Sequence, residues 1–123
     1  MGATNYRDLL AWQRAMDLVE GVYSVSKGWP SSEVYCLVNQ IRRAAVSIPS
    51  NVAEGQGRSS DKEFLQFLSV AHGSLREVET QLLISERLGC TPPLDVERLM
   101  KQAAEVGRLI HGLMRRLRRE TDG

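Results

Sequence analysis

Cysteine is nearly absent from this chain: Cys36 and Cys90 stand alone, with no Cys-x-x-Cys pair and no zinc-type spacing. That excludes a disulfide scaffold and a structural zinc site, and makes a reduced, cytoplasmic setting the default. Aromatic residues amount to only 6%, and glycine and proline are thinly scattered, which disfavours the short strands and frequent turns of a sandwich. No apolar run approaches the ~18 residues of a membrane span. The first residues lack the basic-then-apolar layout of a secretion signal. Tyr6 stands where myristoylation of Gly2 would need Ser or Thr. Neither charge sign is in surplus: 16 Lys and Arg face 15 Asp and Glu, net +1, so the bulk basic excess of a dedicated nucleic-acid binder is missing.

What is present is helical patterning. The 123 residues, 42% apolar and 25% charged, make one domain, residues 1–123, with enough apolar material for a core. Amphipathic periodicity and stop signals predict four helices at about 6–27, 33–54, 60–88 and 93–119, an all-α, up-down-up-down antiparallel bundle. Asn5 is the expected cap of the first helix. Two apolar stripes run along that helix: Leu9, Trp12, Met16, Val19 and Tyr23, and beside them Ala11, Ala15, Leu18, Val22 and Val25. Together they span roughly 200°, twice what a small monomer's surface helix needs. The second stripe, Ala11, Ala15, Leu18, Val22 and Val25, is the expected contact between copies; the alternative is that the excess apolar arc is buried deep between the other three helices.

The break at Gly28-Trp29-Pro30 is followed by Ser31 or Ser32 as a cap and a second helix from Glu33. Its core face reads Val34, Leu37, Val38, Ile41, Ala44, Ala45, Ile48 and Val52. Pro49 predicts a kink near Ile48, and Gly55 with Gly57 predicts the helix end. Ser60-Asp61-Lys62-Glu63 reads as a capping box. The third helix places Phe64, Phe67, Leu68, Ala71, Leu75, Val78 and Leu82 inward. After Gly89 and Thr91-Pro92-Pro93, the fourth buries Val96, Leu99, Ala103, Val106, Ile110, Leu113 and Leu117.

Motifs for chemistry are few. A di-metal carboxylate bundle needs Glu-x-x-His, but Ser69 precedes His72 by three and Arg108 precedes His111. No metal and no cofactor is expected, and Cys36 reads as a semi-buried small residue. Gly55-Gln56-Gly57-Arg58 lacks the strand a nucleotide loop requires and reads as a turn. The most informative polar feature is a stripe on the second helix, Gln40, Arg43, Ser47, Asn51 and Glu54, flanked by Glu63, Ser74, Glu77 and Gln81 on the third. Two readings stand. Arg43 pairs with Glu77 between helices, or Arg42, Arg43, Asn51 and Arg58 form a recognition patch for phosphate or an acidic partner. The densest basic cluster is the tip formed by Arg115, Arg116, Arg118 and Arg119, joined by Arg108; it complements the helix dipole and is also a candidate nucleic-acid contact.

The run Gln40-Ile41-Arg42-Arg43-Ala44-Ala45-Val46-Ser47-Ile48-Pro49-Ser50-Asn51-Val52-Ala53-Glu54-Gly55, followed by Gly57-Arg58, resembles the signature of bacterial four-helix-bundle proteins related to the 23S rRNA intervening-sequence protein. So do Leu10-x-Trp12-Gln13-x-Ala15, Trp29-Pro30-x-x-Glu33 and Phe67-Leu68-x-x-Ala71-x-Gly73-Ser74-Leu75-x-Glu77. The resemblance implies an antiparallel bundle closing into a ring, a homopentamer. Some relatives are encoded within rRNA genes. Others look like accessory proteins of diversity-generating retroelements, basic barrels that bind nucleic acid and a reverse transcriptase. The near-neutral charge of this chain departs from that group. The leading expectation is a non-enzymatic oligomeric scaffold whose partners are its own copies and RNA or a protein. The alternatives are an RNA binder using the arginine patches, and an enzyme with a boundary site around Arg43, Asn51, Glu54, His72 and Glu77.

Overall fold

The computed structural model describes residues 5–30 and 35–122. The expectations for Ser31, Ser32, Glu33 and Val34, and for the Cys36 side chain, lie outside the described residues. Among the described residues, four α-helices account for the architecture: α1 (Leu10–Ser26), α2 (Tyr35–Gln56), α3 (Asp61–Arg87) and α4 (Pro93–Asp122), with a short 3-10 turn at Tyr6–Asp8. No strand occurs among them.

Local chemistry sets the boundaries. The Asn5 side chain accepts from the Arg7 amide at 2.9 Å, but it caps the 3-10 turn. Leu9 is extended (φ −76°, ψ 125°), so α1 starts only at Leu10. Ser60 caps α3 as expected, its hydroxyl accepting from the Glu63 amide at 3.1 Å, with Asp61 and Glu63 at the positive end of the helix dipole. At the other end Gly89 adopts φ +76°. The Cys90 amide reaches the Ser85 carbonyl at 2.8 Å and the Gly89 amide reaches Glu86 at 3.0 Å. That is the Schellman closure, which glycine enters without a Cβ penalty. A buried Ser85–Thr91 hydroxyl contact of 2.9 Å ties the turn down.

Each helix packs on its chain neighbours and α4 closes on α1. Neighbours run antiparallel: Ser47 meets Ser74, His72 meets His111, and Arg14 reaches Glu105. The core lies along the common axis and is fed by Ile41, Ala45, Ile48 and Val52 of α2, Leu68, Ala71, Leu75, Val78 and Leu82 of α3, and Leu99, Ala103, Val106 and Ile110 of α4.

The phase of α1 is the reverse of the expected one. Ala11, Ala15, Leu18 and Val22, expected between copies, are 0–2% exposed inside a single chain, and Val25 is half-buried against the same core. Ala11 and Ala15 let α1 sit close to its neighbours, and Leu18 and Val22 fill the core between them. Where α1 crosses α4, a Cβ on Gly21 would stand 2.5 Å from Leu99 Cδ2, so α1 presents its smallest residues to a closely approaching partner. Of the bulkier stripe, Met16 and Tyr23 are about 40% exposed, Trp12 and Val19 are half-buried against the core, and Leu9 belongs to the core.

Gly55 also differs from expectation. It does not end α2 but lies within it, where a Cβ would meet Phe67 Cβ at 2.7 Å and Phe64 Cδ1 at 2.9 Å. Pro49 lies inside α2, which continues through it. Phe64, Phe67 and Leu113 are only half-buried, and Met114 rather than Leu113 enters the core.

Candidate functional site

Three surfaces carry the polar or unpaired character from which a function can be built. The first is the seam between α2 and α3. Ser47 and Ser74 hydroxyls meet at 2.8 Å. Asn51 donates to the Ser47 carbonyl at 2.8 Å and to its hydroxyl at 2.9 Å. Further along the same seam, Gln81 donates to Gln40 at 3.3 Å. The stripe read from the sequence is thus largely consumed by the two helices themselves.

The arginines expected in a recognition patch disperse. Arg42 folds back to the end of α1, where its Nε donates to Ser26 Oγ at 2.8 Å and its Nη2 to the Tyr23 carbonyl at 3.4 Å. Its guanidinium also lies 4.6 Å from the Tyr23 ring centre. It therefore acts as a cationic cap on a helix C-terminus. Arg58 pairs with Glu54 at 2.8 Å and sits 4.7 Å over Phe67. Arg43 and Glu77 are both exposed, and the pair expected between them does not form among the ion pairs of the described residues. The five residues of the enzyme reading do not converge: Ser74 faces α2, and His72, two positions earlier, projects roughly 200° away, toward α4.

The second surface is an apolar cleft of about 580 Å³ between α1 and α2. Trp12, Met16, Val19, Val46 and Pro49 line it, with Glu54 and Ser50 at its polar edge. Val46 is 41% exposed. The Tyr6 ring packs edge-on against Trp12, centroids 5.3 Å apart, and closes one end.

The third lies between α3 and α4, and sequence reasoning missed it. His72 Nε2 and His111 Nε2 are 2.9 Å apart, their rings crossing at 71° with centroids at 4.4 Å. Beside them a cleft of about 540 Å³ is lined by Arg76, Glu79, Arg108, His111 and Arg115. Burial above all, then the charge of His111 and Arg76, hold His72 below the ordinary histidine value of 6.5, with Glu79 opposing. A signal was available: His72 and His111 are equidistant from the Thr91–Pro92 turn, so an antiparallel pair must bring them level. The same rule finds Ser47 with Ser74, and Gln40 with Gln81, about Ser60–Asp61.

The tip residues Arg108, Arg115, Arg116, Arg118 and Arg119 are all exposed along α4. None forms an ion pair with a described carboxylate. No helix among the described residues is long and apolar enough to cross a membrane.

No curated protein sequence matches the chain. Among solved structures, a protein of unknown function from the S23 ribosomal protein family of Bacteroides thetaiotaomicron superposes with a TM-score of 0.78 at 19% identity. The match covers 85% of this chain and 98% of that one, a likeness of fold. The model of the 23S rRNA-intervening sequence protein family matches residues 7–112, the span that contains the Gln40–Gly55 signature and most of the bundle core. The chain belongs to the 23S rRNA-intervening sequence protein family.

Proposed function

We propose that the protein is a non-catalytic, cytoplasmic scaffold that works as a ring of identical chains, with the α1/α2 cleft as the contact between copies. The observation that carries this is the outward apolar stripe. Trp12, Met16 and Val19 with Val46 and Pro49 form one continuous concavity on a chain whose core is already complete. Met16 and Val46 stand about 40% exposed in it, and apolar surface open to water in a concavity favours association, because that water is released when a partner covers it. The stripe first expected at the contact is buried within the chain, and the reading rests instead on Met16 and Val46 at the cleft. A copy number of five is what the family resemblance implies.

Light scattering at micromolar concentration tests the reading: the expected mass is five times the 13.8 kDa of one chain. Met16→Glu or Val46→Glu should shift the mass to that of a monomer. Leu94→Glu, at a residue 78% exposed outside the cleft, should leave it unchanged. A wild-type mass of 13.8 kDa would refute the ring.

A second reading, RNA binding through the α4 arginines, is favoured by the absence of any acidic partner for Arg108, Arg115, Arg116, Arg118 and Arg119 among the described residues. Phosphate contacts release counterions, so the affinity must fall steeply between 50 and 200 mM salt, by roughly 10³-fold if six phosphates are engaged. A flat response would remove this reading.

A further inference from the structure

We propose that the cleft between α3 and α4 binds a phosphate group, with Arg108 and Arg115 supplying charge and His111, held by its contact with His72, supplying a ring N–H donor. The inference deepens the RNA reading above, since the same group is offered by inorganic phosphate and by an RNA backbone.

The geometry is that of a small cationic bay. Arg108, His111 and Arg115 follow one another at three- and four-residue spacing, so they share one face of α4. His72, outside the cleft lining, meets His111 from α3, its Nε2 2.9 Å from His111 Nε2, and Arg76, which does line the cleft, stands one turn further along α3. The carboxylate lining the bay, Glu79, is engaged by Arg76 Nη1 at 2.6 Å. Arg108 and Arg115 have no such partner among the described residues, so two full positive charges remain uncompensated in a cleft of about 540 Å³.

Two imidazole nitrogens this close invite comparison with a metal site. A metal is disfavoured on two grounds. No group of three or more His, Cys, Asp or Glu is placed to hold one among the described residues, whereas zinc takes three or four protein ligands. Three guanidiniums around the bay would also repel a divalent cation. An oxyanion meets the opposite field, and the arginine fork matches its oxygens.

The histidine pair gives the site its own signature. With His72 neutral, the Nε2–Nε2 contact is one hydrogen bond, one ring donating to the other. Uptake of one proton from solvent puts a hydrogen on both Nε2 atoms and ends that bond, which frees the His111 N–H for an oxyanion in the cleft. His72 is held below its ordinary value by burial, His111 and Arg76, with Glu79 opposing; α2, the other helix packed on α3, exerts no charge on it. A bound anion opposes those cationic influences, so binding and protonation favour each other.

Calorimetry on the full chain at low salt, with sulfate, inorganic phosphate and a single-stranded RNA oligonucleotide, tests this. Histidine ring proton resonances are followed in parallel by NMR. Sulfate keeps its charge throughout the range, so it isolates the protein's titration. It should bind more tightly at pH 5.5 than at pH 8, and it should shift both histidine resonances. Arg108→Gln with Arg115→Gln should weaken sulfate and phosphate by at least tenfold, the factor that a single lost charge-assisted hydrogen bond already gives. His72→Gln with His111→Gln should abolish the pH dependence. Glu79→Gln should tighten binding by removing the repelling carboxylate and freeing Arg76. Absent binding, unmoved histidine resonances or unchanged affinity in the arginine variants would overturn the site. Sulfate and phosphate binding without RNA binding would sustain the site and remove the RNA reading. RNA binding that ignores these variants would do the reverse.

Discussion

Leu18→Ala, compared with Met16→Ala, decides which stripe of α1 is the core. Leu18 is 0% exposed and Met16 is 39% exposed, although the two residues are neighbours on the helix and of similar bulk. Leu18→Ala deletes three buried carbons, a transfer loss of about 2.4 kcal/mol at ~0.8 kcal/mol per carbon. The hole left behind adds about 1–2 kcal/mol, because neighbouring helices close only partly around it. The total, about 3–4 kcal/mol, is a large fraction of the ~5–15 kcal/mol a domain of this kind has in all. Met16→Ala in a dilute monomer should cost less than about 1 kcal/mol, since much of its side chain already meets water. Urea denaturation at sub-micromolar protein, read by helical circular dichroism, gives both numbers from midpoints at constant slope. A cost near zero for Leu18→Ala, with a large one for Met16→Ala, would refute the phase of α1 and return Ala11, Ala15, Leu18 and Val22 to the surface.

Three further outcomes follow from the packing and the turns. Gly55→Ala gains up to ~1 kcal/mol of helix propensity, but its Cβ would stand 2.7 Å from Phe67 Cβ, an atom fixed to the α3 backbone. Prying the helices apart costs ~1–3 kcal/mol, so a net loss of about 1 kcal/mol is expected in urea melts, and a net gain would show that α2 and α3 are not so close. Ser60→Ala removes the side-chain acceptor for the Glu63 amide and should cost ~1 kcal/mol, with Ser60→Asp close to wild type; a Ser60→Ala variant as stable as wild type would argue against the cap. The pH dependence follows from His72, whose folded-state value lies below 6.5. Below pH 6.5 the unfolded chain takes up that proton first, so this group makes stability fall as pH drops and rise as pH climbs through the window just under 6.5. The urea midpoint of wild type should therefore drop more between pH 7.5 and pH 5 than that of His72→Gln, and identical drops would exclude the effect.

Helix positions were legible because apolar residues recur at helical spacing and because Ser60, Gly89 and Pro93 punctuate the chain. On α3 and α4 one stripe clearly dominates, and Leu68, Ala71, Leu75, Val78, Val106 and Ile110 lie in the core where periodicity put them. On α1 two stripes of comparable hydropathy compete, and periodicity cannot rank them. The deciding quantity is how near α4 comes, which shows in Gly21 and the two alanines only once the partner helix is in place. Phe64 and Phe67 share the core stripe but stand in the first turns of α3, where fewer neighbours surround them. Arg42 illustrates a different gap: its sequence neighbours give no hint that a long side chain will cross to the last carbonyls of α1. The histidine bay is a product of antiparallel pairing between residues 39 positions apart, invisible to any local window.

The α2/α3 ladder has a consequence for uniqueness. Leucine and alanine faces tolerate a slide of one helical turn, because one greasy patch suits another almost as well. Rungs made by Ser47–Ser74 and Gln40–Gln81 do not, since a slip would leave the buried Ser74 hydroxyl and Gln81 amide without these partners, at ~1–3 kcal/mol each. Apolar burial makes this pair of helices stick, and a handful of polar atoms decide where along their length they stop.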